Sequence, residues 1–441
     1  MTWYSTLTDF ALKQIAAIAP PEREEEYFDP AEADQSVNGS AFIATGAVHE
    51  AFVVGSRSFD SELSFDLSAT DTIYEAFDAS QPVAQPKDLC GREEELGRLL
   101  SGIIHRRNHG IVSGPRGSGK TSLVRVFGQH ADREGIVVLY AACDSDTTFG
   151  ELMRDFLEQI PASSIDPDEI ELFNAKVRKF GADSTPHQAT SLFAHIVYSQ
   201  VVIVVDEFDR VEDRGMQSKI ASLLKLISDA RIPVRLVLVG VNSTFAAVVD
   251  QHPSLRRHLT RLSTAPLSQS AIFELLDQCA ERCGTRITDD AKKLLNEVAC
   301  GSPYHARLFG THAALAARKH GAKDIGRQDV LTGFAEAFKE WATLNEEDAA
   351  AFRGIVEGSK GDPSVYAEVA RQFAMSAEGQ DGNRSLNARQ EALLSNLDSA
   401  VIGTGDSIAF RDSTAPQYLV ALDYISNRTK PARQSKERVV V

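Results

Sequence analysis

The residues with the clearest chemistry form one glycine-rich stretch, Gly114-Pro115-Arg116-Gly117-Ser118-Gly119-Lys120-Thr121. It fits the pattern G-x-x-x-x-G-K-[ST], in which backbone N–H groups surround a phosphate. The glycines allow the tight turn, and a helix beginning at the lysine points its positive end at the anion. Lys120 can reach the β- and γ-phosphates of a nucleotide, and the Thr121 hydroxyl can bind Mg²⁺. The stretch therefore predicts a site for ATP and Mg²⁺.

An acidic pair follows an apolar stretch farther along, Val201-Val202-Ile203-Val204-Val205-Asp206-Glu207. Five consecutive β-branched residues are typical of a strand buried on both faces of a parallel sheet. Carboxylates at the carboxyl end of such a strand lie where ligands bind in open α/β sheets. We predict that Asp206 holds Mg²⁺ through water and that Glu207 orients and polarises the attacking water. The alternative, an acidic strand end that only meets solvent, is weakened by the phosphate loop.

The composition limits the class of protein. With 441 residues, 43% hydrophobic and 24% charged, the chain is globular and long enough for two to four domains. It has no run of 18 apolar residues and no basic-then-apolar leader, so neither a membrane span nor a signal peptide is predicted. The five scattered cysteines are typical of reduced thiols. We therefore expect a cytoplasmic protein with no membrane partner.

The formal net charge of −16 is unevenly distributed. Residues 1–88 hold 16 acidic and 4 basic side chains, and residues 343–426 hold 13 and 6. The tail 427–441 reverses the sign, with one acidic and five basic side chains. DNA affinity comes largely from neutralising phosphates, which a net negative region does poorly. The charge therefore disfavours DNA as a partner, although the basic tail could add a nonspecific contact.

The two ends of the chain differ from its centre. Residues 1–88 are acidic and poorly periodic, so we expect them to be largely extended or disordered, beyond a helical pattern at 4–19. This region is either an acidic-aromatic segment that docks on a partner or on the chain itself, or a solvated tail. Residues 427–441 form a basic tail.

The centre divides into three predicted domains. Residues 89–265 alternate helical patterns with strand patterns at 110–113, 136–141, 201–205, 234–239 and about 261–265. This alternation predicts an α/β fold, a parallel sheet with helices on both faces. Residues 266–342 are wholly helical. Residues 343–426 carry three helical patterns and a hairpin pattern, which together predict a winged helix-turn-helix.

With these residues in view, the chain resembles AAA+ P-loop ATPases, especially the origin-recognition-initiator-like and STAND-like branch. The resemblance covers about 89–425. It rests on the phosphate loop, the box Cys90-Gly91-Arg92-Glu93, the acidic box Asp206-Glu207-Phe208-Asp209 and the lid turn Gly301-Ser302-Pro303. It implies Mg²⁺-dependent ATP hydrolysis in a homo-oligomer, a helical lid after the ATPase core, and an adenine pocket bordered by the Arg92 region.

The resemblance also implies residues that sense the nucleotide. Asn242, after the fourth strand, matches the polar residue that contacts the γ-phosphate or the water, and Ser243 is the fallback. Arg307, on the helix after Gly301-Ser302-Pro303, matches the lid arginine that reaches the nucleotide, with His305 as the alternative.

By the same resemblance, Arg256 and Arg257 lie where related ATPases hold an arginine finger for the neighbouring subunit; a solvated helix end is the alternative. The first functional hypothesis is an ATP-hydrolysing switch whose nucleotide state controls assembly or the binding of a protein partner. The second is a DNA-associated initiator or transposition-type ATPase regulator. The third is a slow STAND-type signalling switch in defence or transcriptional control.

Overall fold

The computed structural model describes residues 67–83, 85–241, 245, 253–357, 361–376, 386–397, 399–403 and 408–427. The predictions for residues 1–66 and for most of the basic tail therefore lie outside the described residues. Within the described ranges, no helix combines the length and the apolar character needed to cross a membrane.

Five parallel strands form the central sheet, which confirms the predicted α/β fold. They are β1 (His109–Ser113), β2 (Val137–Ala142), β3 (Val201–Asp206), β4 (Val234–Gly240) and β5 (Leu259–Ser263). Their spatial order is β2-β3-β4-β1-β5. Because all strands are parallel, their carboxyl ends meet at one edge. The loop after β1 and the acidic residues after β3 therefore flank the end of β4.

Helices cover both faces of this sheet. They are α2 (Glu93–Leu100), α3 (Lys120–Arg133), α4 (Phe149–Glu158), α5 (Ile170–Val177), α6 (Pro186–Phe193) and α7 (Arg214–Asp229). Alternate residues of β3 enter two separate apolar cores, Ile203 on one face and Val204 on the other. This period of two explains why the strand sequence is apolar throughout.

After β5 the chain is mainly helical. The lid helices are α8 (Gln269–Arg282), α9 (Asp289–Ala299), α10 (Pro303–Lys319) and α11 (Arg327–Leu344), with a short parallel pair, β6 (Arg286–Ile287) and β7 (Asp324–Ile325). Ser302 is the N-cap of α10, since its Oγ accepts from the His305 N–H at 3.3 Å, and Pro303 takes the first helical position.

The remaining described residues, 346–427, form what we call the C-terminal module. Its elements are α12 (Glu346–Val356), α13 (Pro363–Ala374), α14 (Ala388–Ser395), the antiparallel pair β8 (Val401–Ile402) and β9 (Ala409–Phe410), and α15 (Ala415–Asn427). Three helices and a hairpin lie where they were predicted, whereas α15 was not predicted. The winged helix-turn-helix assignment stays a prediction.

The lid and the C-terminal module share one apolar core. The Trp341 ring at the end of α11 stacks on Phe352, with centroids 5.3 Å apart, and on Tyr418, with centroids 4.9 Å apart. Aromatic pairs at this spacing add to the stabilisation from buried area. The predicted boundary at residue 342 therefore falls inside a continuous core.

The amino-terminal region departs from the prediction. Residues Leu67–Ala76 form a helix, α1, and the Phe77 side chain after it is fully buried against the lid. A Cβ at Gly310 would lie 2.6 Å from the Phe77 ring, so the glycine makes room for it. The prediction of an extended or disordered chain as far as residue 88 therefore does not hold for the helical residues Leu67–Ala76. Packing on the lid, rather than local periodicity, stabilises this short helix.

Candidate nucleotide-binding site

The phosphate loop has the backbone shape that its glycines predict. Gly117 and Gly119 have φ angles of 73° and 87°, which favour glycine, and Gly119 precedes the first residue of α3. At Gly114 a Cβ would lie 2.1 Å from Thr264 Oγ1, so no side chain fits there. The loop therefore leads directly into the amino end of a 14-residue helix, where backbone N–H groups can bind an anion.

The Lys120 side chain folds back over this loop. Its Nζ donates to the carbonyl oxygens of Gly114 at 3.0 Å and Pro115 at 2.9 Å. Burial lowers the pKa of Lys120, while the Asp209 and Asp206 carboxylates act in the opposite direction. The ammonium group thus lies between the loop and the acidic residues that follow β3, where a bound phosphate would meet it.

Buried contacts hold the loop in place. Ser118 Oγ donates to Pro115 O at 2.7 Å and lies 2.7 Å from Thr264 Oγ1. Arg92, only 4% exposed, donates to the carbonyl oxygens of Ser118 and Ala265 and pairs with Glu95. Arg92 thereby ties the loop to the segment after β5, a supporting role that the sequence analysis did not assign to it.

The two acidic residues after β3 differ in environment. Asp206 is 2% exposed, and its carboxylate accepts from the Tyr140 hydroxyl at 2.6 Å and from the Glu207 N–H at 2.8 Å. Glu207 has a left-handed backbone, φ 52°, and its half-exposed carboxylate pairs with Arg210 at 2.7 Å. The sequence analysis missed both Tyr140 and Arg210. The i,i+3 spacing could have suggested Arg210, and strand pairing could have suggested Tyr140.

The residues present fit Mg²⁺. Thr121 and Asp206 offer hydroxyl and carboxylate oxygens, the hard ligands this ion prefers. Each Asp206 oxygen accepts one hydrogen bond, so lone pairs remain. Among the described residues, no cluster of three or more His, Cys, Asp or Glu side chains is placed to hold a metal.

Two cavities flank the loop, separated by a contact from the lid in which Ser302 Oγ donates to Gly117 O at 3.3 Å. The first, about 200 Å³, extends from Gly119 and Lys120 to Leu89, Cys90, Leu275 and Arg307, so we call it the nucleoside side. The second, about 390 Å³, lies between Pro115, Arg116 and Asp209 of the core and Phe410, Arg411 and Gln417 of the C-terminal module. Lys120 and Thr121 line the first cavity, and we infer that a γ-phosphate held by Lys120 would extend from there toward Pro115 and Arg116, so we call the second cavity the γ-phosphate side.

The sequence of residues 88–239 matches the model of the AAA ATPase domain family. This segment is an AAA ATPase domain. No curated protein matches the sequence.

Solved structures similar to the chain include three proteins that are 16–17% identical to it. The Thermotoga maritima RuvB Holliday junction branch migration motor has 16% identity and a TM-score of 0.40, over 75% of this chain and 96% of that chain. The Aeropyrum pernix ORC1 protein in complex with DNA has 17% identity and a TM-score of 0.43, over 77% and 94%. The Aeropyrum pernix ORC2 protein has 16% identity and a TM-score of 0.44, over 80% and 98%.

The lid brings one of its two candidate sensors to the AAA ATPase domain. Arg307 lines the nucleoside side, and its Nη1 donates to Asp78 O at 3.0 Å. His305 is 1% exposed and points elsewhere, with Nδ1 2.9 Å from Ser302 Oγ and Nε2 3.2 Å from Thr414 O. Burial lowers the pKa of His305 to about 3, so its ring is neutral. Arg307 therefore lines this cavity and His305 does not, and the sensor role of Arg307 stays a prediction.

Two further predicted site residues, Arg256 and Arg257, lie apart from the phosphate loop. Asn242 and Ser243 fall outside the described residues. Arg256 and Arg257 are exposed on the short helix Pro253–His258, which directly precedes β5. Leu259 of β5 pairs with His109, the first residue of β1. Both arginines therefore lie at the amino ends of the strands, whereas the phosphate loop lies at the carboxyl ends. The length of β1, about 16 Å at 3.3 Å per residue, separates the two edges. They are therefore too far from the loop of their own chain to contact a phosphate bound there, and the arginine-finger role stays a prediction.

Proposed function

We propose that this protein is an ATP-hydrolysing switch in which the nucleotide at the loop sets the position of the C-terminal module. One observation carries the proposal: the C-terminal module forms one wall of the cavity on the γ-phosphate side. A γ-phosphate adds volume and negative charge beside Pro115 and Arg116. A module that closes this space must respond to the presence of that group.

A chain of contacts also joins the loop to the module. Gly117 O accepts from Ser302 Oγ, which contacts the His305 ring, and that ring contacts Thr414 O. Thr414 lies in the turn before α15, where Asp412 accepts from Trp341 Nε1 at 2.6 Å. Movement of the loop on binding phosphate would therefore reach the core that the lid and the module share.

The proposed chemistry is attack of water on the γ-phosphate. The Glu207 carboxylate would orient the water, and Lys120 would stabilise negative charge that develops on the phosphate. Bound Mg²⁺, held by Thr121 and Asp206, would neutralise charge on the phosphate oxygens. Glu207 pairs with Arg210 in this structure, an exposed contact worth at most about 1 kcal/mol, so the carboxylate is readily released.

The proposed assembly is a homo-oligomer in which Arg256 or Arg257 completes the site of a neighbour. Mixing the Arg257→Ala and Lys120→Ala variants should restore part of the activity, because each supplies the group the other lacks. Arg133→Ala, which changes an exposed arginine at the end of α3, serves as the control. If mixing the two variants restores no activity, the protein works as a single-chain switch.

A slow signalling switch is the alternative to a rapid ATPase. Turnover below about 0.1 s⁻¹ would support it, since typical enzymes turn over at 1 s⁻¹ or faster. A role that depends on DNA is a separate hypothesis. Gel shifts at two salt concentrations test it, because binding through phosphates weakens steeply with salt.

Amide hydrogen exchange tests the switch directly. We expect residues 409–427 to exchange faster with a non-hydrolysable ATP analogue than with ADP, because the γ-phosphate displaces the module. Lys120→Ala, which removes the cation that meets the phosphates, should bind nucleotide poorly and show no difference. If wild-type protein binds the analogue, shown by calorimetry, and exchange at 409–427 stays unchanged, the coupling is wrong.

A further inference from the structure

Tyr140, which has no role in the mechanism above, forms a hydrogen bond with the predicted Mg²⁺ ligand Asp206. The Tyr140 hydroxyl on β2 donates to Asp206 Oδ2 at 2.6 Å. Strand register explains the contact: Tyr140 pairs with Val204, and Asp206 lies two residues farther along β3 on the same face. The tyrosine therefore reaches the carboxylate diagonally across two adjacent parallel strands.

A second contact ties this tyrosine to the helix that begins at the loop. The Arg125 guanidinium lies 4.9 Å from the centroid of the Tyr140 ring, a distance typical of a cation–π contact. Arg125 follows Thr121 by four residues on α3, so both side chains lie on one face of the helix. Arg125, Tyr140 and Asp206 thus form a bridge between the two elements that carry the Mg²⁺ ligands.

We propose that Tyr140 is a positioning residue for Mg²⁺. Its hydroxyl holds Oδ2 of Asp206 while the Glu207 N–H holds Oδ1, so the buried carboxylate cannot rotate. The remaining lone pairs of that carboxylate are then held in one orientation. This inference rests on the proposed binding of nucleotide with Mg²⁺ and adds a residue that controls it.

The surroundings keep Tyr140 a hydrogen-bond donor. Burial raises the pKa of Tyr140, and its bond to the charged Asp206 raises it further, while Arg125 acts in the opposite direction. The hydroxyl therefore stays protonated and donates a hydrogen bond to the carboxylate. Residues that orient a metal ligand in this way typically change metal affinity by about 10- to 100-fold when they are removed.

The test compares two variants that each remove one hydroxyl. Tyr140→Phe deletes the bond to Asp206 but keeps the ring beneath Arg125. Tyr424→Phe is a matched control in the C-terminal module, where the hydroxyl donates to Glu297 and the Arg371 guanidinium lies 5.9 Å from the ring centroid. Calorimetry would measure ADP affinity in EDTA and then during a Mg²⁺ titration.

We expect Tyr140→Phe to raise the Mg²⁺ concentration at the midpoint by about 10- to 100-fold. ADP affinity in EDTA should stay within about twofold of wild type, because the nucleotide contacts are intact. Tyr424→Phe should change neither quantity. A tyrosine that only fills space beside Asp206 would leave the midpoint unchanged, and that result would overturn the inference.

A second background separates action through Asp206 from a general effect on folding. In Asp206→Ala protein the tyrosine has no carboxylate to hold, so adding Tyr140→Phe should not move the Mg²⁺ midpoint further. A further shift of the same size would show that Tyr140 acts elsewhere and would refute the proposal. If wild-type protein binds ADP with no Mg²⁺ dependence, the proposed function fails instead, so the two failures are distinguishable.

Discussion

Residues before the AAA ATPase domain should be needed for the stability of the core that the lid and the C-terminal module share, and Phe77→Ala tests this most directly. The Phe77 ring is 0% exposed and lies beside Gly310, which has no side chain to fill the space it would leave. Removing a buried phenylalanine costs about 3–5 kcal/mol. Burying an aromatic side chain removes about 150–250 Å² from water, or roughly 4–6 kcal/mol at 25 cal/mol per Å². The two approaches agree that the loss is large.

Tryptophan fluorescence can measure this effect where it occurs. Trp341 lies in the core shared by the lid and the C-terminal module, and the only other tryptophan is Trp3, which Trp3→Phe removes. Phe77→Ala should lower the urea midpoint of the Trp341 signal by at least about 1 M, since a loss of about 3–5 kcal/mol is divided by a denaturant slope of about 1–3 kcal/mol/M. Tyr74→Ala, on the same helix but 53% exposed, is the control and should shift stability by less than about 0.5 kcal/mol.

Truncation before Gln85 should be more damaging than Phe77→Ala. It also removes the Asp78 carbonyl that accepts from Arg307 and the Val83 N–H that donates to Ser122 Oγ at 3.2 Å. A truncated protein that stays soluble and binds ATP like wild type would refute the packing argument. So would a Phe77→Ala midpoint within about 0.3 M of wild type.

Three further predictions concern catalysis, assembly and pH. Glu207→Gln should keep ATP affinity and lose about 10²-fold or more in phosphate release, since the amide cannot polarise water as a carboxylate does; equal release would refute this role. Specific activity should rise with protein concentration, and Arg256→Ala or Arg257→Ala should lower specific activity without weakening ATP binding. Specific activity that stays constant over a hundredfold dilution would argue against an intersubunit site. Burial lowers the pKa of His109 and His305 to about 3, so below pH 6.5 the unfolded chain binds more protons than the folded chain. The free energy of unfolding should therefore fall as the pH drops below 6.5. Urea titrations at pH 5.5 should show a loss of about 1.4 kcal/mol for each histidine.

The sheet and the phosphate loop could be predicted because local sequence determines both. A strand buried on both faces needs a continuous apolar run, so β3 was placed to within one residue. The loop requires glycine at positions with positive φ, so its shape follows from Gly117 and Gly119. The edge strand β5 is partly exposed, and its observed start lies two residues before the predicted one.

The missed elements depend on packing partners that are distant in sequence. Helix α1 contributes Ile73 and Ala76 to the lid core, but its short pattern alone is weak. Helix α15 is apolar around most of its circumference because α11 and α13 pack against it, so it lacks the polar face of an amphipathic helix. Tyr140 reads as an ordinary strand residue until β2 is paired with β3 in register.

The position of the C-terminal module bears on the predicted arginine finger. The module closes the γ-phosphate side with residues of the same chain, and a neighbour's arginine would need that same space. Closure by the module and completion of the site by a neighbour therefore exclude one another. Volume, rather than charge, would favour opening once ATP is bound, because the cavity wall carries Arg116 and Arg411 as well as Asp209 and Asp412. Under the proposed function, assembly would follow ATP binding, and hydrolysis, which removes the γ-phosphate, would return each chain to the arrangement described here.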